Sequence, residues 1–240
     1  STPSILWDRL CHELFPSNTY HFNSGGDPEH IPDLSYQELS DFYAEHYHPS
    51  NAIFLPFGDI SAEAHQQIFE AQVLERFEAL ERRIEVALET PFTTPVQATH
   101  PYAVDAEEGT EKKTHLVMGW KLGESADLTA MLEAQLVSSV LMENSASPLM
   151  HYLETTDRGA APSPLCGLEE SMREMVFCCG IEGSEAEHAE AFEAEVLACI
   201  EQVAADGIDE EKIDAILRQI ELHQRAVSYT HLRAHETGCY

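Results

Sequence analysis

The side chains of this chain that are able to do metal or acid–base chemistry are its 13 histidines, 43 aspartates and glutamates and six cysteines. His46-Tyr47-His48 offers two imidazoles, but at i,i+2 near a helix end they do not converge on one ion, so a structural or solvent-facing role is favoured. Asp27, Glu29, His30 and Asp33 could encircle a cation in a loop; capping and turn stabilisation is the reading that short acidic side chains favour there. Gly25-Gly26 permits either close approach of a peptide backbone or a plain turn. Glu107-Glu108 and Glu169-Glu170 are most simply solvated surface. Cys11, Cys166, Cys178, Cys179, Cys199 and Cys239 form no CxxC pair, and neighbours Cys178 and Cys179 point to opposite faces of a strand. That argues against a zinc ribbon or a disulfide framework. It suits reduced, buried thiols in a cytosol-like compartment, and the expected location is cytoplasmic.

These residues sit on elements that can be read in order. Ile5, Leu6, Leu10 and Leu14 recur at helical spacing over residues 4–15, ended by Pro16. Ser24-Gly25-Gly26-Asp27-Pro28 and Ile31-Pro32-Asp33 mark loops, and Ser35-Tyr36-Gln37-Glu38 is a capping box that opens a helix to about Tyr47. Ala52–Phe57 is an apolar run stopped by Gly58-Asp59 and reads as a buried strand. Ser61 caps a long helix, carried by Ile68, Val73, Phe77, Leu80, Ile84 and Leu88 to about Glu89. Residues 90–113 hold Pro91, Pro95 and Pro101 and read as a connection, with one edge strand at residues 96–98.

Beyond it, residues 114–122 are a strand, Ser125 caps a helix from Ala126 to Met142, and Ser147-Pro148 begins a short helix to Thr155. Residues 157–167 carry two glycines and two prolines and are a loop, and residues 172–181 are a strand. Ser184-Glu185-Ala186-Glu187 is a second capping box before a stripe of Phe192, Val196, Cys199, Ile200 and Val203. Asp209 caps a last helix with Ile213, Ile216, Leu217 and Ile220 inward. The alternation predicts an α+β fold.

At 240 residues the chain is long enough to bury a sizeable core. A balance of 13 Lys+Arg against 43 Asp+Glu, a formal charge of −30, repels nucleic acid and anionic membranes. It suits basic peptides or a salty or acidic habitat, or serves solubility alone. No apolar run approaches the ~20 residues of a membrane span. No signal-peptide pattern opens the chain, which begins at Ser1 without Met and so says little about the full gene product.

The stretch Tyr20–Asp59, YHFNSGGDPEHIPDLSYQELSDFYAEHYHPSNAIFLPFGD, resembles the presequence-protease branch of the pitrilysin/insulinase zinc metallopeptidases. Flanking resemblance continues in SILWDRLCHELF (residues 4–15) and IDAILRQIELHQR (residues 213–225). The resemblance implies a peptidase that hydrolyses short unfolded peptides, built of modules of mainly antiparallel sheet packed with helices. It also implies a zinc site on a His-x-x-Glu-His helix, where two imidazoles share one face and the glutamate activates water.

No described spacing in this chain meets that motif. His12-Glu13 meets Pro16, His21 meets Ser24 and Gly25, His30 meets Asp33 and Leu34, and His46 meets Pro49 and Ser50. His231-Leu232-Arg233-Ala234-His235 has the imidazole spacing but Ala234 in place of the base. Residues 227–240 moreover resemble translated adapter sequence and are set aside.

In the family the zinc ligands precede the segment matching residues 4–15, and a partnering Arg and Tyr follow much later, so no catalytic, cofactor-binding or metal residue is expected here. The expectation is an interior fragment of a zinc metalloendopeptidase: residues 1–89 ending one module, 90–113 linking and 114–226 beginning the next. The parent would be the enzyme and this chain alone inactive, binding no zinc. Its partners would be peptide substrates and the remaining modules of the parent chain. The alternative is a non-catalytic subunit of the same fold that binds peptide or partners a catalytic chain. Either way, half-modules should expose apolar edges and associate poorly with water.

Overall fold

The computed structural model describes residues 1–225 apart from 82, 83, 106 and 108. The chain divides into two compact units, one of residues 17–89 and one joining residues 1–16 to residues 90 onward. Glu108, Cys239, the His231–His235 pair and the adapter-like tail lie outside the described residues.

The larger unit is built on an antiparallel sheet. Strands β1 (Thr114–Glu124) and β4 (Glu174–Ser184) are its long pair, registered Val117 to Gly180, Gly119 to Cys178 and Trp120 to Phe177. On the far side of β4, the short strands β2 (Ala161–Pro162) and β3 (Gly167–Glu169) pair with different halves of it. Sequence placed only a loop over residues 157–167. Runs of two and three residues are too short to show a period of two, and it is the long β4 that supplies their partners.

Alternation along β1 sends Leu116, Met118, Trp120 and Leu122 to one face, where they pack with Phe177, Cys179 and Ile181. Helices α4 (Leu128–Met142), α5 (Pro148–Thr155) and α6 (Ala189–Asp206) cover that face through Leu141, Leu149, Leu153, Phe192 and Val196, all 6% exposed or less. The opposite face is covered by helix α1 (Thr2–Leu14), whose Leu10 and Leu14 lie on Gly119; a Cβ there would sit 3.1 Å from Leu10. Cys178 and Cys179 are thus buried on opposite faces of one strand, as the alternation predicts. Helix α7 (Glu210–Arg225) buries Ile216 and lays Lys212 Nζ on the Val140 carbonyl at 3.3 Å, while Leu217 stays half-exposed.

Two caps differ from the sequence expectation. Asp127, not Ser125, caps α4, accepting the amides of Thr129 and Ala130 at 2.9 and 3.2 Å. Ser125 instead donates to the Met172 carbonyl at 2.6 Å and so ties the start of α4 to the start of β4. Ser184 does not open a capping box: its hydroxyl donates to the Arg158 carbonyl at 2.6 Å, and α6 begins only after a 3₁₀ turn at Ala186–His188. In both cases a long-range carbonyl outcompetes the local amides.

The smaller unit holds helices α2 (Tyr36–His46) and α3 (Ala62–Gln72) with several 3₁₀ turns. The capping box of α2 is present: the Glu38 amide reaches Ser35 Oγ at 3.2 Å and Glu38 Oε2 takes the Ser35 amide at 2.8 Å. Its ends are pinned together by Ser17, whose amide and hydroxyl donate to the Glu89 carboxylate at 2.8 and 2.5 Å, and by Asn18, which donates to the Ala87 carbonyl at 3.2 Å.

Three expectations fail in this part of the chain and the linker. Ala52–Phe57 forms no strand, with Ile53 and Leu55 88% and 91% exposed, because among the described residues no strand lies beside it. The helix from Ser61 ends at Gln72 rather than Glu89. Beyond it the amides of Leu80 and Ile84 go to Ser50 Oγ (3.0 Å) and Asn51 Oδ1 (3.2 Å), acceptors that a helix would have to give up. Residues 96–98 form no edge strand, and Val96 is exposed. The sheet lies wholly in the larger unit, so an antiparallel sheet in each of two modules is not what the described residues form.

Candidate functional site

His46, His48, Asp27, the Gly25-Gly26 pair, Glu169 and Glu170 prove to be occupied locally. His46 Nδ1 donates to the Phe42 carbonyl at 3.0 Å and its ring stacks on Phe42 with centroids 3.8 Å apart. His48 Nδ1 accepts the Ser50 amide at 3.1 Å, capping the turn at Pro49–Asn51, and its ring meets Phe77 edge-on at 5.1 Å. The two imidazoles are therefore separated by task, and they do not converge.

Asp27 Oδ1 accepts the Glu29 amide at 2.9 Å, and its carbonyl takes the amides of His30 and Ile31. That is the turn-stabilising role. His30 stands 3.6 Å from Asp27 with both side chains largely in solvent. Gly26 takes φ +80, and Asn23 Oδ1 accepts the Gly25 amide at 2.8 Å, which makes the glycine pair a turn. Glu169 accepts the Ser171 amide and Glu170 accepts from Gln135, each at 2.7 Å.

The five described cysteines are free thiols. Burial pushes Cys11 and Cys178 up to about 12, with nearby acids or thiols adding to it, and raises Cys166, Cys179 and Cys199 in the same direction. A thiol held protonated at neutral pH is a poor nucleophile. The hollow beside Cys166 and Cys178, about 340 Å³, is lined also by Trp7, Leu165, Leu168 and Glu169, whose carboxylate already accepts the Ser171 amide.

One polar cluster was not legible in the sequence. Arg158 clasps Glu195 Oε1 through Nη2 at 2.7 Å and reaches both carboxylate oxygens from Nε at 3.2 Å, while Tyr152 donates to Oε2 at 2.7 Å. The Arg158 bonds, then that of Tyr152, hold the Glu195 carboxyl below its ordinary range. Burial, then the Glu195 bond, raises Tyr152 to about 12. His188 and Ser184 bond the Arg158 carbonyl from the other side, at 3.1 and 2.6 Å. The cluster joins α5, the following loop and α6. It is a clasp.

A catalytic zinc needs three protein ligands around one point. Among the described residues no group of three or more His, Cys, Asp or Glu side chains is placed to hold a metal ion. The described residues therefore do not fit zinc. No helix among the described residues is long and apolar enough to cross a membrane.

The larger unit thus packs α helices on an antiparallel sheet. The crystal structure of a protease from Helicobacter pylori shares the fold: TM-score 0.55 at 18% identity, covering 88% of this chain and 48% of that one. The family model described as "Peptidase M16 inactive domain" matches residues 33–220. The mitochondrial presequence protease of Danio rerio is 33% identical over 219 residues, 90% of this chain and 21% of that protein. That of Mus musculus is 30% identical over 242 residues, 98% of this chain and 23% of that protein. Protein HypA of Clostridium perfringens is 25% identical over 229 residues. The chain belongs to the M16 peptidases, the pitrilysin/insulinase type, in their presequence-protease branch. It spans about a fifth of the length of these curated relatives.

Proposed function

We propose that this chain is a non-catalytic portion of a zinc-dependent metalloendopeptidase that degrades short unfolded peptides. The observation that carries the reading is the agreement between a family model described as an inactive domain and presequence proteases as relatives along most of the chain. In the parent, zinc and its general base would come from residues outside this chain, and the acidic surface here, −30 overall, would favour basic peptides. Residues 1–89 would complete one module, 90–113 link, and 114–226 begin a second. A break between compact units at Glu89 supports the first of those boundaries, while α1 keeps company with the larger unit. The remaining modules of the parent would be this chain's partners, together with the peptide; nucleic acid and membrane would not be.

The test is a pair of measurements. Purified chain should hold no stoichiometric zinc and cleave no fluorogenic peptide, and chelator-sensitive turnover would overturn the reading. The gene upstream of Ser1 should encode an intact His-x-x-Glu-His. A related sequence there that has lost the motif would instead make the protein a peptide-binding or partner subunit.

A further inference from the structure

The hollow beside Cys166 and Cys178 lies within the larger unit, between α1 and the chain from Pro164 to Glu169. Helix α1 sets one wall. Leu10 packs on Gly119 and Cys11 is buried, so Trp7, one turn earlier, is carried on the same side of the helix. Its side chain lines the hollow together with Pro164, Leu165 and Leu168.

The charge there is negative. Glu169 Oε1 accepts the Ser171 amide at 2.7 Å, which fixes the carboxylate, and Oε2 has no hydrogen-bond partner among the described residues. No lysine, arginine or histidine is among the described lining residues. Burial first, then the charges of Asp8 and Glu169, raises the Cys11 thiol to about 12, so two acids act on this side of α1.

These walls narrow the occupant. An anion is repelled by Glu169, and a neutral apolar group would desolvate the carboxylate without pairing it. A cation with flat apolar faces meets both demands, since guanidinium stacks on an indole and donates N–H groups to a carboxylate. About 340 Å³ is near the lower end of ligand pockets, roughly 300–1,000 Å³, and suits one side chain rather than a whole ligand. We propose that the hollow is a subsite for an arginine side chain of a bound peptide. Its guanidinium would lie between Trp7 and Glu169 Oε2, with its stem along Leu165 and Leu168. This rests on the proposed function, which supplies the peptide.

The probe is Nα-acetyl-arginine amide, and the readout is Trp7 fluorescence in a Trp120→Phe chain, where Trp7 is the remaining tryptophan. The signal should saturate with a midpoint of about 1–10 mM. Read by NMR of the probe, the unaltered chain should give the same midpoint, which covers a Trp120→Phe chain that does not fold. The citrulline amide, similar in shape but uncharged, should bind at least about fivefold more weakly. So should the arginine probe to Glu169→Gln, which keeps an acceptor for the Ser171 amide. No saturation up to about 50 mM overturns the inference, as does equal binding of the citrulline probe or of Glu169→Gln. In the full-length gene product the Glu169→Gln difference should recur; its absence there overturns the peptide in favour of an arginine of the parent chain. The two readings fail separately. An intact His-x-x-Glu-His upstream with no arginine binding loses only the subsite. Arginine binding in a gene product that has lost the motif loses the peptidase and leaves a peptide-binding subunit.

Discussion

Residues 17–89 and residues 90–225 are drawn from similar amino acids but put them to opposite use. In the larger unit, apolar side chains are buried on both faces of one sheet: Val176, Cys178, Cys179 and Ile181 are all 1% exposed or less. In residues 17–89 the buried positions among the described residues are polar, Asn18 and Glu89, while Tyr36, Phe42, Tyr47 and Leu55 stand in solvent. Capped helices and turns form in both. Local hydrogen bonds therefore suffice for shape, but only the larger unit has the burial that outweighs the entropy of ordering a chain.

A direct way to break this contrast is truncation on each side of it. Phe192→Ala, at a side chain 2% exposed between α6 and the sheet, should cost roughly 3–5 kcal/mol. Tyr36→Ala, at a side chain 85% exposed, should stay within about 0.5 kcal/mol. Urea unfolding of the two variants measures both. A comparable loss at Tyr36 would mean that residues 17–89 possess a core after all.

The next effect belongs to backbone approach within the sheet. A Cβ on Gly180 would meet the Leu116 carbonyl oxygen of β1 and lie 2.8 Å from Val117 Cγ2. Since a backbone atom cannot swing aside, Gly180→Ala should cost about 1–3 kcal/mol by prising β1 from β4. Thermal unfolding reads the loss, and amide exchange at residues 116–118 should localise it.

Caps sharpen the comparison. Ser35→Ala and Asp127→Ala remove equivalent side-chain acceptors from α2 and α4, each worth about 1 kcal/mol. Because α4 packs on the core, loss of Asp127 should lower the global unfolding midpoint. Helix α2 has 11 residues and no buried side chain, so loss of Ser35 should fray it locally and leave that midpoint in place. Exchange rates at residues 37–40 distinguish the two. A shift of the global midpoint in Ser35→Ala would couple α2 to the core.

What could be read from the sequence follows the same division. Signals satisfied within four residues were legible: the Ser35–Glu38 box, Pro148 at the start of α5, and the stripe of α6 through Phe192 and Val196. Signals that need a distant partner were not. Residues 52–57 form no strand, the helix expected beyond Gln72 gives way to amide bonds to Ser50 and Asn51, and Ser125 and Ser184 are taken by carbonyls more than 20 residues away. For the site, metal spacing was enough to doubt His46 and His48, whose real tasks are stacking and capping. The Tyr152–Arg158–Glu195 clasp had no signal to find, since Glu195 lies 37 and 43 residues from its partners with no pattern linking them.

That clasp supplies the smallest effect and a pH signature for it. Glu195 is held below its ordinary value by Arg158 and Tyr152, so its charged form favours the folded state. The contribution is complete above the ordinary carboxylate value of 4.5 and is lost as pH falls below it toward the depressed folded value. Tyr152 works with the opposite sign: raised to about 12 from 10, it stabilises the fold below 10 and loses that contribution between 10 and 12. Both partners of the ion pair are about a third exposed, so Glu195→Gln should cost no more than about 1 kcal/mol at neutral pH. The difference in unfolding temperature between Glu195→Gln and the unaltered chain should be flat from about pH 6 to 8 and shrink below about 4.5. A difference that persists unchanged into acid would mean that the carboxylate charge contributes nothing, and that the clasp holds α5 to α6 by shape and neutral hydrogen bonds alone.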